Sequence, residues 1–104
     1  MSYSITHRNG SMDSDPPLST LPALLAELRE RPDDAEHGSV ALTHESEWCL
    51  SVSRGGYVIF ENLEDGGERH LRGVSDAQVL LMWEDLAAGR IAKLYEHPWK
   101  PGYE

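Results

Sequence analysis

Three consecutive runs of β-branched and aromatic residues, Ser39 to His44, Trp48 to Ser53 and Tyr57 to Asn62, are separated by connections too short to hold a helix. Strands joined this closely must pair antiparallel, because a parallel return needs a crossover of a dozen or more residues. The connections carry turn chemistry. Arg54-Gly55-Gly56 and Glu64-Asp65-Gly66-Gly67 supply glycines that tolerate the positive φ of hairpin turns. A weaker fourth run, Glu68 to Arg72, extends the pattern into an antiparallel meander of about four strands. In the second run Trp48, Leu50 and Val52 share a face opposite Glu47, Cys49 and Ser51, so one side is expected to pack on helices and the other to meet solvent or a partner. Tyr57-Val58-Ile59-Phe60 is apolar on both faces, which predicts a central strand.

Helices flank this meander. Leu21, Leu24, Leu25 and Leu28 follow helical spacing, with Ser19 or Thr20 as N-cap and Pro22 in the first turn; the helix is predicted from about Thr20 to Arg31, ended by Pro32. A more strongly marked helix starts at Ser75, has Asp76 in its first turn, carries a stripe of Val79, Leu80, Met82, Trp83, Leu86 and Ala87, and stops at Gly89. A short third helix is predicted within Arg90 to Glu96. The Pro- and Gly-bearing tail from His97 to Glu104 is not helical. Tyr3 and Ile5 alternate with polar residues as a short edge strand, followed by a breaker-rich loop from Asn9 to Pro17. No internal repeat or composition break divides the chain, so the expectation is a single α+β domain over residues 1–104, with helices on one face of the meander.

The chain is 104 residues long, enough to bury roughly two-thirds of its unfolded surface in a core. No apolar run approaches the ~20 residues that span a bilayer. The first ten residues lack the apolar stretch of a secretory signal, so a cytoplasmic location is expected. A lone cysteine, Cys49, leaves no internal disulfide and no cysteine zinc site.

Charge is the informative part. The net charge is −9, from 18 acidic and 9 basic side chains. Ten of those acids lie between Glu30 and Glu68, against only Arg31 and Arg54; the segments on either side are close to neutral. Such a balance argues against direct nucleic-acid binding and against anionic membranes, both of which need clustered Lys and Arg. It favours a basic protein partner, because carboxylates of one sign on a rigid scaffold focus a field that speeds encounter. The expected partner-binding residues are Asp33, Asp34, Glu36, Glu45, Glu47, Glu61, Glu64, Asp65 and Glu68. Trp99 and Tyr103 in the tail are either aromatic anchors for that partner or groups that dock on the protein's own core.

Catalytic chemistry finds little footing. His44, Glu45 and Glu47 with His37 are the densest set of metal-ligand types, but there is no HExxH pattern, and in a strand His44 and Glu45 point to opposite faces. Glu45, Glu47 and Glu61 could form a carboxylate pair, though nothing indicates a substrate pocket. Cys49 lacks a foreseeable histidine partner and reads as a small apolar filler. The glycine pairs lie between strands and are not phosphate loops. The chain is therefore expected not to be an enzyme and to need no cofactor or metal. The reading from another class is a small metal-dependent enzyme built on His37, His44 and Glu45 or Glu47.

A short acidic chain with the segments Trp48-Cys49-Leu50-Ser51-Val52, Gly56-Tyr57-Val58-Ile59-Phe60-Glu61-Asn62 and His97-Pro98-Trp99-Lys100-Pro101-Gly102-Tyr103 resembles the bacterial polymorphic-toxin immunity proteins, in particular the CdiI proteins of contact-dependent growth inhibition. The resemblance is one of type, and these families share no catalytic signature. It implies a cytoplasmic inhibitor, a monomer in a 1:1 complex with a cognate toxin domain, commonly a nuclease such as a tRNase. The carboxylates would occupy the toxin's Arg and Lys, or cover its cleft from an adjacent site. A nucleic-acid-mimic antitoxin, or an inhibitor of another protein, shares the same physics with a different partner.

Overall fold

A computed structural model describes residues 3–8, 10–29, 39–53 and 56–102. Among these residues the chain is α+β, with a seven-stranded antiparallel sheet and three α-helices. The strands are β1 (Tyr3–Thr6), β2 (Met12–Ser14), β3 (Ser39–His44), β4 (Trp48–Ser53), β5 (Tyr57–Asn62), β6 (Gly66–Leu71) and β7 (Lys100–Pro101); the helices are α1 (Leu21–Ala26), α2 (Asp76–Ala87) and α3 (Ile91–Leu94). The spatial order is β2-β1-β3-β4-β5-β6-β7. The meander β3 to β6 is continuous, as the turn chemistry predicts, and β5 is an interior strand between β4 and β6.

The sheet is wider than the four strands expected from sequence. β1 is not an edge strand: it pairs with β3 through Ile5 and Leu42 and with β2 through Ile5 and Asp13. β2 lies inside the stretch expected to be a loop, and β7 lies in the tail, where Lys100 pairs with His70. Neither added strand has β propensity or a buried residue. Each is held by backbone pairing with an inner neighbour, and their shortness blunts the sheet edges. α1 is also shorter than predicted, with 3-10 turns at Leu18–Thr20 and Glu27–Arg29 on either side. Its start has no side-chain cap: the Thr20 hydroxyl donates to the Pro17 carbonyl, 2.7 Å, within the preceding turn.

α2 follows the local rules closely. The Ser75 side chain accepts from the Gln78 amide, 3.2 Å, Asp76 sits in the first turn, and the helix gives way to Gly89 at φ 78°. Val79, Met82, Trp83 and Leu86 point onto the sheet and meet Ile5, Val40, Leu42, Leu50, Val52, Val58 and Phe60 together with Leu21, Leu24 and Leu94 in one core. Full burial of each such side chain is worth ~1.5–3 kcal/mol. Trp83 ties the layers by more than area, since its indole N–H donates to the Leu50 carbonyl, 3.0 Å. At the other end of the meander, Gly56 at φ 79° lies so close to the loop before α2 that an added Cβ would sit 2.4 Å from the Val74 carbonyl oxygen; only glycine fits.

One polar cluster fastens the β1–β2 hairpin to the turn after α1. His7 lies with Nδ1 2.6 Å from Glu27 and Nε2 2.6 Å from Asp13. Glu27 also accepts the Arg8 amide, 3.0 Å. The hydrogen bond to Asp13, then that to Glu27, hold the His7 imidazole above its ordinary pKa, and burial opposes them only in part. No helix among the described residues is long and apolar enough to cross a membrane.

Candidate functional site

Antiparallel pairing of β3, β4 and β5 means that β3 and β5 run the same way, so the β3–β4 and β5–β6 turns emerge at the same end of the sheet. They are in contact there: the Leu63 amide donates to the Glu47 carbonyl, 2.8 Å, and the Asn62 side-chain amide donates to the Ser46 carbonyl, 3.3 Å. Asn62 also shapes its own turn by accepting the Glu64 and Asp65 amides, both at 2.9 Å. Two turns far apart in sequence thus form one platform.

Glu45 and Glu47 stand on the first turn, Glu64 and Asp65 on the second, and all four are exposed. Glu61, opposite Cys49, lies near the end of β5, and Glu68 leaves the same end along β6, its carboxylate 3.8 Å from where a Cβ on Gly66 would lie. Every sequence-predicted acid within the described residues therefore gathers at one end of the sheet. Asp33, Asp34 and Glu36, together with Tyr103, lie outside the described residues. Asp15 joins the group without having been foreseen. Its amide donates to the Tyr3 carbonyl, 2.8 Å, and Tyr3 pairs with His44, which brings the end of β2 to the acidic platform. No residue pattern signals this, because Asp15 arrives through a strand that forms only by pairing.

Arg69, on the neighbouring strand, spends its charge on aromatic rings. Its guanidinium lies 4.9 Å from the Tyr95 ring centre and 5.7 Å from that of Trp48, and its Nε donates to the Gly67 carbonyl, 3.0 Å. Trp99 belongs with this aromatic group. It stacks on Phe60 at 5.4 Å, and its indole N–H donates to the Leu94 carbonyl, 2.6 Å, which packs it, half-buried, against the protein's own core.

Between the β1–β2 end and the β3–β4 turn lies a groove of about 390 Å³, bordered by Tyr3, Met12, Asp15, His44, Glu45, Glu47 and Leu63. Met12 and Leu63 are among the most exposed large apolar side chains described, at 61% and 55%. His44 is buried, 6% exposed. Its Nδ1 lies 3.1 Å from the Ser46 amide and 2.8 Å from the Ser46 hydroxyl, and its buried Nε2 has no hydrogen-bond partner among the described residues. Burial, then the Asp15 carboxylate, push the Tyr3 phenol up.

Two further candidate chemistries meet obstacles here. Among the described residues no three His, Cys, Asp or Glu side chains assemble as metal ligands, and His44 is buried while Glu45 is exposed; His37 lies outside the described residues. Cys49 is buried, and that burial pushes its thiol up, away from the thiolate a nucleophile needs; Glu61 adds to the effect and a Thr43 hydrogen bond opposes it. No family model, curated protein or solved structure matches this chain.

Proposed function

We propose that this chain is an immunity protein that binds and neutralises a basic toxin domain, a nuclease in the simplest case, through the acidic end of its sheet. The observation that carries the reading is the convergence of Glu45, Glu47, Glu64 and Asp65 on two turns hydrogen-bonded to each other, with Glu61 and Glu68 on the strand ends beside them. Like charges gathered on adjoining turns repel one another, whereas they complement a cationic surface. A nuclease must present Arg and Lys to hold phosphates, and carboxylates on those side chains form charge-assisted hydrogen bonds in the substrate's place. No reacting group on this chain is needed, because inhibition follows from occupancy.

The test begins with a partner recovered from the native strain and purified. Its association rate with this protein should fall as salt rises, and reversing Glu45, Glu47, Glu61 and Glu64 to Lys should slow association by ~10 to 10³. Rates indifferent to both salt and reversal would remove the acidic end from recognition.

A further inference from the structure

We infer that Arg69 fixes the register of the complex: its guanidinium, set against the Tyr95 and Trp48 rings beside the acidic end, takes a single Asp or Glu carboxylate carried by the otherwise basic partner. The inference rests on the partner-binding reading of the acidic end and adds to it one contact of inverted sign.

Arg69 lies on β6 opposite Phe60 and so shares the helix-side face of the sheet with that ring. Trp48 stacks on the buried Phe60 at 4.6 Å, and Tyr95 meets Trp48 edge-on, with ring centres 5.5 Å apart and planes at 88°. The two rings form a corner backed by the core. The guanidinium sits against both, 4.9 Å from Tyr95 and 5.7 Å from Trp48, and its Nε is fastened to the Gly67 carbonyl, 3.0 Å. Ring contacts engage the flat of a guanidinium and leave its edge, where the N–H groups lie, open to an acceptor. Among the described residues those terminal N–H groups have no acceptor and the cation has no carboxylate, although Glu64, Asp65 and Glu68 stand on the adjoining turn and strand. A cation held away from its own neighbouring acids is preorganised for an acid from elsewhere. The corner is also reachable, since Tyr95 is 47% exposed, and Tyr, Trp and Arg are the side chains that concentrate binding energy at interfaces. A carboxylate matches the planar fork with two parallel hydrogen bonds. A phosphate monoester would bring a second negative charge towards Glu64, Asp65 and Glu68, whereas a carboxylate set among a partner's Lys and Arg arrives with its charge already balanced.

The experiment uses the whole protein, ¹⁵N-labelled, with arginine Nε–H and backbone amide signals followed by NMR. It is titrated with two pentapeptides, acetyl-KKEKK-amide and acetyl-KKQKK-amide. Charge alone favours KKQKK, which carries one more net positive charge towards a chain of net charge −9. The Arg69 pair predicts the reverse order: KKEKK should bind about threefold more tightly and shift the Arg69 Nε–H signal saturably, while KKQKK leaves that signal in place. In Arg69→Gln the order should invert. Both peptides are read on the same variant, so any loosening of the aromatic corner affects them alike. Binding of KKQKK to the parent protein as tightly as KKEKK or more so overturns the assignment, and so does a preference for KKEKK that survives Arg69→Gln. If KKQKK wins while both peptides shift the Glu45, Glu47, Glu64 and Asp65 amides, the acidic end stands as a partner surface without the Arg69 contact; if neither peptide shifts those amides, both readings fall.

Discussion

The helix layer and the acidic end of the sheet are built to opposite standards. α2 has a capping serine, an acid in its first turn, an apolar stripe buried against the sheet and a glycine just beyond its end. The acidic end places Glu47 at φ 75°, where glycine or asparagine is expected, leaves His44 Nε2 without an acceptor among the described residues, and crowds carboxylates on adjoining turns. A buried donor left unsatisfied costs ~1–3 kcal/mol, and a non-glycine residue in left-handed geometry ~1–2 kcal/mol. Stability therefore originates in one region and is surrendered in the other. Local rules break most readily where a surface is shaped for something other than its own fold.

That contrast can be broken most forcefully in the core. Trp83→Ala should destabilise by ~3–5 kcal/mol in urea unfolding, through a cavity and the lost bond to Leu50; a cost below 1 kcal/mol would mean the helix layer does not anchor the sheet. Asn62→Ala should cost ~1–2 kcal/mol because the Glu64 and Asp65 amides lose their acceptor, somewhat more than the ~1 kcal/mol of Ser75→Ala at the α2 cap. A reversed order would show that the β5–β6 turn is not held by its asparagine. Glu47→Gly should go the other way. Relief of left-handed strain, less the greater freedom of glycine in the unfolded chain, gives a gain of about 0.5–1 kcal/mol, while binding to the basic partner weakens. Loss of stability in this variant would place the turn among the parts optimised for folding.

The smallest effect concerns pH. His7 has a folded pKa raised above 6.5, chiefly by its hydrogen bond to Asp13 and then that to Glu27. Its contribution to stability is complete below the unfolded value of about 6.5 and is lost as pH rises through the higher folded value. A neutral imidazole has one N–H to offer, so one of the two carboxylates then faces a lone pair. Melting temperature should fall modestly across that window in the parent protein, and the corresponding slope should be flatter in His7→Gln. Equal slopes would show that the cluster is screened by solvent.

Much of the fold could be read from residue order. β3, β4 and β5 announce themselves through β-branched runs between turn residues, and α2 through Ser75, its apolar stripe and Gly89. Strand alternation would have placed His44 and Glu45 on opposite faces, but β3 ends at His44 and Glu45 stands in the turn that follows. β2 and β7 could not be read that way. Met12-Asp13-Ser14 and Lys100-Pro101 have neither alternation nor propensity, and only the partner strand creates them. Because β2 was invisible, so were the internal position of β1, the arrival of Asp15 and the groove itself. The acids on the two turns were foreseeable, since alternate turns of a meander share an end; the exact seat of Trp99 was not, because it depends on the Phe60 ring from a distant strand.

The pairing of β1 with β3 has a kinetic meaning. β3 to β6 join neighbours along the chain, whereas β1 must return across the whole first helical segment, which predicts that its loop closes late and its hairpin adds to a sheet already formed. A segment that docks last is expected to open early, and here it carries Tyr3, Met12 and Asp15, one wall of the groove. An occupant bridging that wall to the β3–β4 turn would staple the N-terminal hairpin shut. Amide exchange in β1 should then slow on complex formation more than exchange in β5, so that engagement is recorded as protection of the N-terminal hairpin.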